Sequence, residues 1–337
     1  MSTTSSPATF SELFTDLQNR VRVTTGVTAT QNQAARYINI ALQDMHLGYG
    51  ERLWWAHRTE VLRTHAPYST GTVSISNATT ITGSSTLWNT NNDFGEANMR
   101  VGGKFTVNGI DVYEITTVTS DTVATLNTRY IGDSDTAATY TYFEDDYALS
   151  SDFLRPLDLG LFSSNGDIPL ISPMEFRRRY PRNSVRGKPR VATMLSKDPS
   201  ADTTLRIRVR LSPAPDNEYL IPYGFITNKL AVGTSGTLAT ALSSDNDEPI
   251  VPLQYRHIIV LHALENWYRD KKDDSRSQTV KAERLDMMDR MLGDSRIGDP
   301  RPQFSPRVSG IARRARQPWG GGVRKHVIGT AWDELRE

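Results

Sequence analysis

The sequence predicts an α+β fold: a helical-bundle body with a few antiparallel strands and an inserted small all-β barrel or sandwich. Three observations carry that expectation. Apolar residues recur at helical spacing over 9–45, the period switches to two over 70–143, and a helical period returns over 252–292. The helices on either side of the β stretch then read as two ends of one body, with 70–143 inserted into it.

Phe10, Leu13, Phe14, Leu17 and Val21 stripe one face of a helix over 9–24. Thr9 and Glu12 have the spacing of a capping box, in which each side chain satisfies a free backbone donor. After the turn "TTGVTAT", Thr30 and Gln33 repeat the device, and Ala34, Ile38, Leu42 and Met45 stripe a second helix. The pair predicts an antiparallel hairpin.

From Thr70 the stretch "TGTVSISNATTITGSSTLW" alternates apolar and polar residues without an acid, a base or a histidine. Val73 and Ile75 alternate, as do Phe105 and Val107, and Asn108-Gly109 in "KFTVNGIDVYEI" is a hairpin turn. Ser120-Asp121 and "IGDSDT" supply further turns, so five or six short strands are expected, closing as a small barrel or sandwich. Beyond Tyr147, Ser172, Pro173 and Glu175 open a short helix, and "TLRIRVRL" and "EYLIPYGFI" read as two strands joined through "SPAPDN". "PIVPLQYRHIIVLHALENWYRD" is a helix begun near Pro252, apolar nearly all round and so expected to be buried by several neighbours. A last helix places Val280, Leu285, Met288, Met291 and Leu292 on one side. The final residues, rich in Pro, Gly and Arg, read as an extended tail. The expected domains are a helical hairpin at 1–69, the β insertion at 70–143, the rest of the body at 144–295 and a basic tail at 296–337.

Composition narrows the function. The absence of cysteine excludes disulfides, thiol catalysis and cysteine-ligated zinc. No apolar run approaches the ~20 residues that span a bilayer, and "MSTTSSPATF" lacks the basic and apolar regions of a signal peptide, so a cytosolic origin is expected. Lys and Arg nearly balance Asp and Glu, 39 against 38, so global charge selects no partner. No catalytic, metal-binding or cofactor-binding constellation stands out. His257 and His262 are five apart, about 140° around a helix, so they do not share the face a zincin needs. They read as packed or capping histidines. The acidic runs "EDD" at 144–146, "DNDE" at 245–248 and "KKDD" at 271–274 lack the alternation of a calcium loop and read as solvated turns. Two carboxylates brought together from distant positions could still make a glycosidase.

The basic runs say more. Arg177, Arg178, Arg179, Arg182, Arg186, Lys188 and Arg190 occur without an acid over 176–190. Arg301, Arg307, Arg313, Arg314, Arg316, Arg324 and Lys325 do so over 301–325. Arg206, Arg208 and Arg210 alternate, so they leave one face of their strand, where a solvated face is the plain alternative. The two acid-free runs favour a polyanion or an acidic protein surface. Neither interleaves aromatics as a single-strand platform would, which favours a backbone-facing DNA-channel role or a subunit-facing one over base reading.

In order and texture, "AARYINIALQDMHL", "RLWWAHRTEVLRTHAPYSTGTVSI", "DYALSSDFLRPLDL" and "PIVPLQYRHIIVLHALENWYRD" resemble the head–tail adaptor (head completion, or tail tubular) proteins of tailed bacteriophages, over about 9–295. The resemblance implies a structural, non-enzymatic virion protein without cofactor, made in the host cytoplasm. It implies a homo-oligomeric ring, usually twelve-fold, between the portal protein and the downstream tail (nozzle) protein, with tail fibres as a further neighbour. DNA would pass through its channel in non-specific contact, and no membrane would be involved. Its C-terminal segment would reach the portal, and Trp319 and Trp332, with the arginines of 301–325, are the anchors such a contact uses. A nozzle or fibre-attachment protein is the alternative, and a cell-wall hydrolase a further one.

Overall fold

The computed structural model describes residues 7–21, 28–109, 111–157, 160–163, 166–181, 184–196 and 206–298. Five α-helices form among them: α1 (Phe10–Val21), α2 (Thr28–Tyr49), α3 (Pro173–Arg179), α4 (His257–Asp270) and α5 (Asp274–Gly298). One half of the cap predicted before α1 is made, Glu12 N donating to Thr9 Oγ1 at 3.4 Å, whereas Glu12 Oε2 accepts from Ala8 N at 2.7 Å, one residue before the predicted N-cap. The chain divides into two compact units, one made from both ends of the chain and one of Arg58–Asn228.

In the unit built from the chain ends, α4 touches α1, α2 and α5. Contact on several sides buries Ile258, Ile259, Val260, Leu261, Ala263 and Leu264, the near-continuous apolar run of the sequence. Phe10, Leu13 and Leu17 from α1, and Ala34, Ile38, Leu42 and Met45 from α2, are buried too. On α5, Val280, Met288, Met291 and Leu292 are buried, but Leu285 is 41% exposed. A small sheet with Ala231–Val232 between Leu238–Ala239 and Glu248–Pro249 completes this unit.

The unit Arg58–Asn228 is dominated by strands. Seven of them form one antiparallel sheet in the order Asp135–Ala138, Thr72–Ile75, Thr80–Ser84, Val123–Leu126, Val112–Ser120, Lys104–Val107 and Tyr140–Phe143. The first and last strands in that order lie at opposite edges, yet only Thr139 separates them in sequence. One residue spans a few ångströms, so the sheet curls into a half-barrel that brings the adjoining ends of its two edge strands together. Its interior holds the alternating residues: Val73, Ile75, Ile81, Phe105, Val107 and Ile115. Trp88, the last residue of the inert stretch, fills the same core and donates from Nε1 to Tyr140 OH at 2.9 Å. From that stretch Val73, Ile75, Ile81 and Trp88 line the apolar interior. Asn108 and Gly109 take φ of +52° and +70° in their hairpin. The sheet's chain ends adjoin, since Tyr68 and Tyr142 exchange two backbone hydrogen bonds of 2.8 Å.

The remaining strands of this unit make two three-stranded sheets and a ribbon. One sheet places Leu220–Thr227 between His57–Arg63 and Phe153–Pro156, and the other places Ile207–Ser212 between Val191–Ser196 and Asp146–Ala148. Gly160–Ser163 pairs with Gly166–Pro169. Leu62, Leu149, Val209, Leu211, Ile221 and Phe225 contribute to their shared core.

The expected helical-bundle body with a few antiparallel strands is therefore overturned. The described chain is mostly β-sheet, one curled seven-stranded sheet plus four smaller ones, with five helices beside them. Nor is the seven-stranded part a sandwich, since one sheet supplies the whole wall. Helices announce themselves locally through caps and stripes. A three-residue strand such as Asp146–Ala148 is too short to show an alternation. His57–Arg63 buries only Leu62, near its end, and so shows none.

Candidate functional site

Two clusters of charge occupy the unit Arg58–Asn228, and they differ in kind. The first surrounds Glu144, Asp145 and Asp146, at the exit of the curled sheet. Tyr140–Phe143 carries these acids inward against Lys104 on the neighbouring strand. Lys104 Nζ lies 2.9 Å from Glu114 Oε2, 3.5 Å from Asp146 Oδ2 and 3.7 Å from Asp145 Oδ1. From the other side, Arg208 Nε meets Asp146 Oδ1 at 2.6 Å and Arg210 Nε meets Asp145 Oδ2 at 3.1 Å. Glu144 takes Arg100 Nε at 2.7 Å and the Tyr142 hydroxyl at 2.6 Å. The expectation that "EDD" is a solvated turn is corrected: Asp145 is only 2% exposed. Sequence order could not show that these acids face arginines some sixty residues later.

Electrostatics follows burial and pairing. Burial pulls the Lys104 ammonium down, but Asp145 and Asp146 overcome it and hold its pKa above the usual lysine value. Burial also works against ionised Asp146, yet Lys104 and Arg208 keep its carboxyl below the usual range. Asp145, more deeply buried, is pushed up by desolvation against the pull of Lys104 and Arg210.

A cleft of about 430 Å³ opens beside this cluster and includes Glu60, His65, Glu96, Arg100 and Ser150 in its lining. His65 Nε2 lies 3.2 Å from Glu96 Oε2, and burial, followed by Arg100, lowers the imidazole pKa. Ser150 Oγ donates directly to Glu60 Oε1 at 3.0 Å. With no imidazole between hydroxyl and carboxylate, that pair lacks the base that activates a serine. Among the described residues, no group of three His, Asp or Glu is arranged to hold a metal ion.

The second cluster faces outward. Ser172 caps α3 by accepting from Glu175 N at 3.3 Å, with Pro173 at the first helical position as the sequence predicts. The helix thereby presents Arg177, Arg178 and Arg179, all exposed. Beyond it, the chain runs beside 212–214: Gly187 N donates to Ala214 O at 2.8 Å, Ala214 N to Val185 O at 3.0 Å and Arg190 N to Ser212 O at 3.0 Å. Between these segments lies a groove of about 570 Å³. Arg179, Arg186, Lys188 and Arg190 rim it, and Tyr180, Val185 and Pro213 give it an apolar lining. Arg179 pairs with Glu175 at 2.7 Å, whereas no carboxylate among the described residues pairs with Arg177, Arg178, Arg186 or Arg190.

The sequence-predicted cations thus separate into groups. Arg179, Arg186, Lys188 and Arg190 gather around the groove, Arg177 and Arg178 are exposed on α3 beside it in sequence, and Arg206 is exposed at the head of its strand. Arg208 and Arg210 instead hold the buried aspartates. Arg182 lies outside the described residues, as do Arg301, Arg307, Arg313, Arg314, Arg316, Trp319, Arg324, Lys325 and Trp332. Lys104, Asp145 and Asp146 were not singled out from sequence; the only trace there is an acid run matched by an alternating arginine run. No protein-family model matches this chain, and no curated protein matches it.

Proposed function

We propose that this chain is a head–tail adaptor of a tailed bacteriophage, a non-enzymatic ring subunit between the portal and the tail that lines the DNA passage. One observation carries the reading beyond the sequence resemblance. The interior carboxylates Asp145 and Asp146 are taken up in ion pairs, while Arg177, Arg178, Arg186 and Arg190 are exposed without a carboxylate partner among the described residues. Such a distribution supports a protein that works through surfaces, and it offers a polyanion or an acidic neighbour a place to rest. A ring needs lateral surfaces that close under rotation, and sheets provide these as well as helices do. The basic tail, with Arg313, Arg314, Arg316 and Trp319, is assigned to the portal.

The test is reconstitution. The full chain is mixed with the portal protein of the same genome and examined by negative-stain electron microscopy and sedimentation. A collar of subunits on the portal is the expected outcome, and truncation after Gly298 should leave the fold intact and remove most portal affinity. Absence of any portal complex, with the chain found instead on nozzle or fibre proteins, would overturn the reading in favour of another tail component. Clearing of a cell-wall suspension by the purified chain would overturn it in favour of a hydrolase.

A further inference from the structure

The groove between 179–190 and 212–213 suits a narrower class of ligand than its charge alone indicates. Arg186 and Arg190 stand at its rim, but Tyr180 and Val185 are 39% and 50% exposed, and Pro213 lies beside them. Backbone hydrogen bonds from 185, 187 and 190 to 212–214 hold its walls in place before anything binds. The phosphates of a DNA duplex would stop at the cations and leave the apolar surface empty. An extended peptide with acids beside large apolar side chains would use both.

The chain itself contains such a segment. Positions 300–332 hold no acid, after which "AWDELRE" at 331–337 brings Asp333, Glu334 and Glu337 together with Trp332 and Leu335. The preceding run 301–325 has the same sign as the rim and would be repelled by it. The chain continues for 39 residues beyond α5, a reach on the order of 100 Å when extended, enough to cross to a neighbouring molecule. We propose that segment 331–337 of one copy docks in the 179–190 groove of a second copy, with Trp332 and Leu335 on Tyr180, Val185 and Pro213 and the acids on Arg186 and Arg190. This rests on the ring reading for its second copy, and it gives Trp332 to a neighbouring subunit instead of the portal. Each subunit would then be donor and acceptor at once, the head-to-tail contact from which rings are built.

The test uses full-length chains and a fluorescein-labelled peptide of residues 328–337. The binding partner is the D333K/E334K/E337K chain, whose own segment cannot compete. The peptide should bind it, weaken with added salt, and lose at least about tenfold in affinity when R186E/R190E is added, while R186K/R190K retains binding. A W332A peptide should bind at least about tenfold more weakly. In the second arm, a tagged R186E/R190E chain with its segment intact should capture the D333K/E334K/E337K chain, whereas two R186E/R190E chains should not associate. No peptide binding, or equal binding to the charge-reversed groove, overturns the proposal. Peptide binding without capture between chains overturns the exchange and places the segment on its own chain. A 20-base-pair duplex retained by the full chain and released by R186E/R190E, with no peptide bound, overturns it in favour of DNA. Portal binding is measured on the same variants. If the collar forms while the groove fails, only this inference falls, and if both fail, so does the ring reading.

Discussion

Lys104 brings an ammonium group into a nearly closed space and meets three carboxylates there, so neither partner can be removed cheaply. Lys104→Met leaves Asp145 and Asp146 with two arginines and no buried counterpart, and breaking such a pair costs about 3–5 kcal/mol. Urea titration of the variant should show that loss, and Lys104→Met combined with Asp145→Asn should recover part of it. Histidines set the pH response. His65, His257 and His262 all lie below the ordinary value of 6.5, each chiefly through burial, with Arg100, Arg20 and Arg284 respectively adding to the effect. The folded state therefore binds their protons less readily than the unfolded chain does. Their contribution to stability is fully present above pH 6.5 and is lost as pH falls through the depressed values. Melting temperature should be flat from pH 8 to 7 and decline below 6.5, with His262→Gln making the decline shallower.

At the scale of elements, Gly71 and the α3 cap are the sharpest tests. Gly71 has φ +83°, and an added Cβ would strike the Ser84 carbonyl oxygen on the paired strand. Gly71→Ala should cost about 1–3 kcal/mol and loosen the edge of the curled sheet, read by hydrogen exchange at Val73 and Ile75. Ser172→Ala removes the acceptor for Glu175 N and should cost about 1 kcal/mol, lowering any binding that depends on Arg177–Arg179. These elements were also the legible ones. The caps opening α1 and α3, the helix stripes and the Asn108-Gly109 turn are written in near neighbours, whereas the cap read at Thr30 is misplaced, since α2 is already helical from Thr28. The strands of His57–Arg63 and Asp146–Ala148 owe their state to distant partners, and the body was accordingly expected to be helical when it is largely sheet. The same division holds for the candidate site. Seven cations without an acid mark 176–190 directly, but the apolar lining of its groove comes partly from Pro213, which no local pattern ties to Arg186.

For the molecule as a whole, the adjoining ends of the seven-stranded sheet invite its removal. Replacing 71–142 with a short Gly/Ser linker joins Thr70 to Phe143, which follow the paired residues Tyr68 and Tyr142 and so already lie close together. The excision also deletes Lys104, Arg100 and Tyr142, so Asp145 keeps only Arg210 and Glu144 loses its two closest partners. Excision alone should yield a protein that unfolds at lower urea than one in which Asp145→Asn and Glu144→Gln accompany it, and circular dichroism should show a higher helical fraction in both. The same adjacency decides how the chain carries tension. A pull along the backbone enters at Tyr68 and leaves at Tyr142, and two hydrogen bonds link those residues directly. Force passes across that link while the strands beyond it stay slack, and they begin to bear load only after the link parts. Those two bonds therefore part before the strands of the seven-stranded sheet bear load.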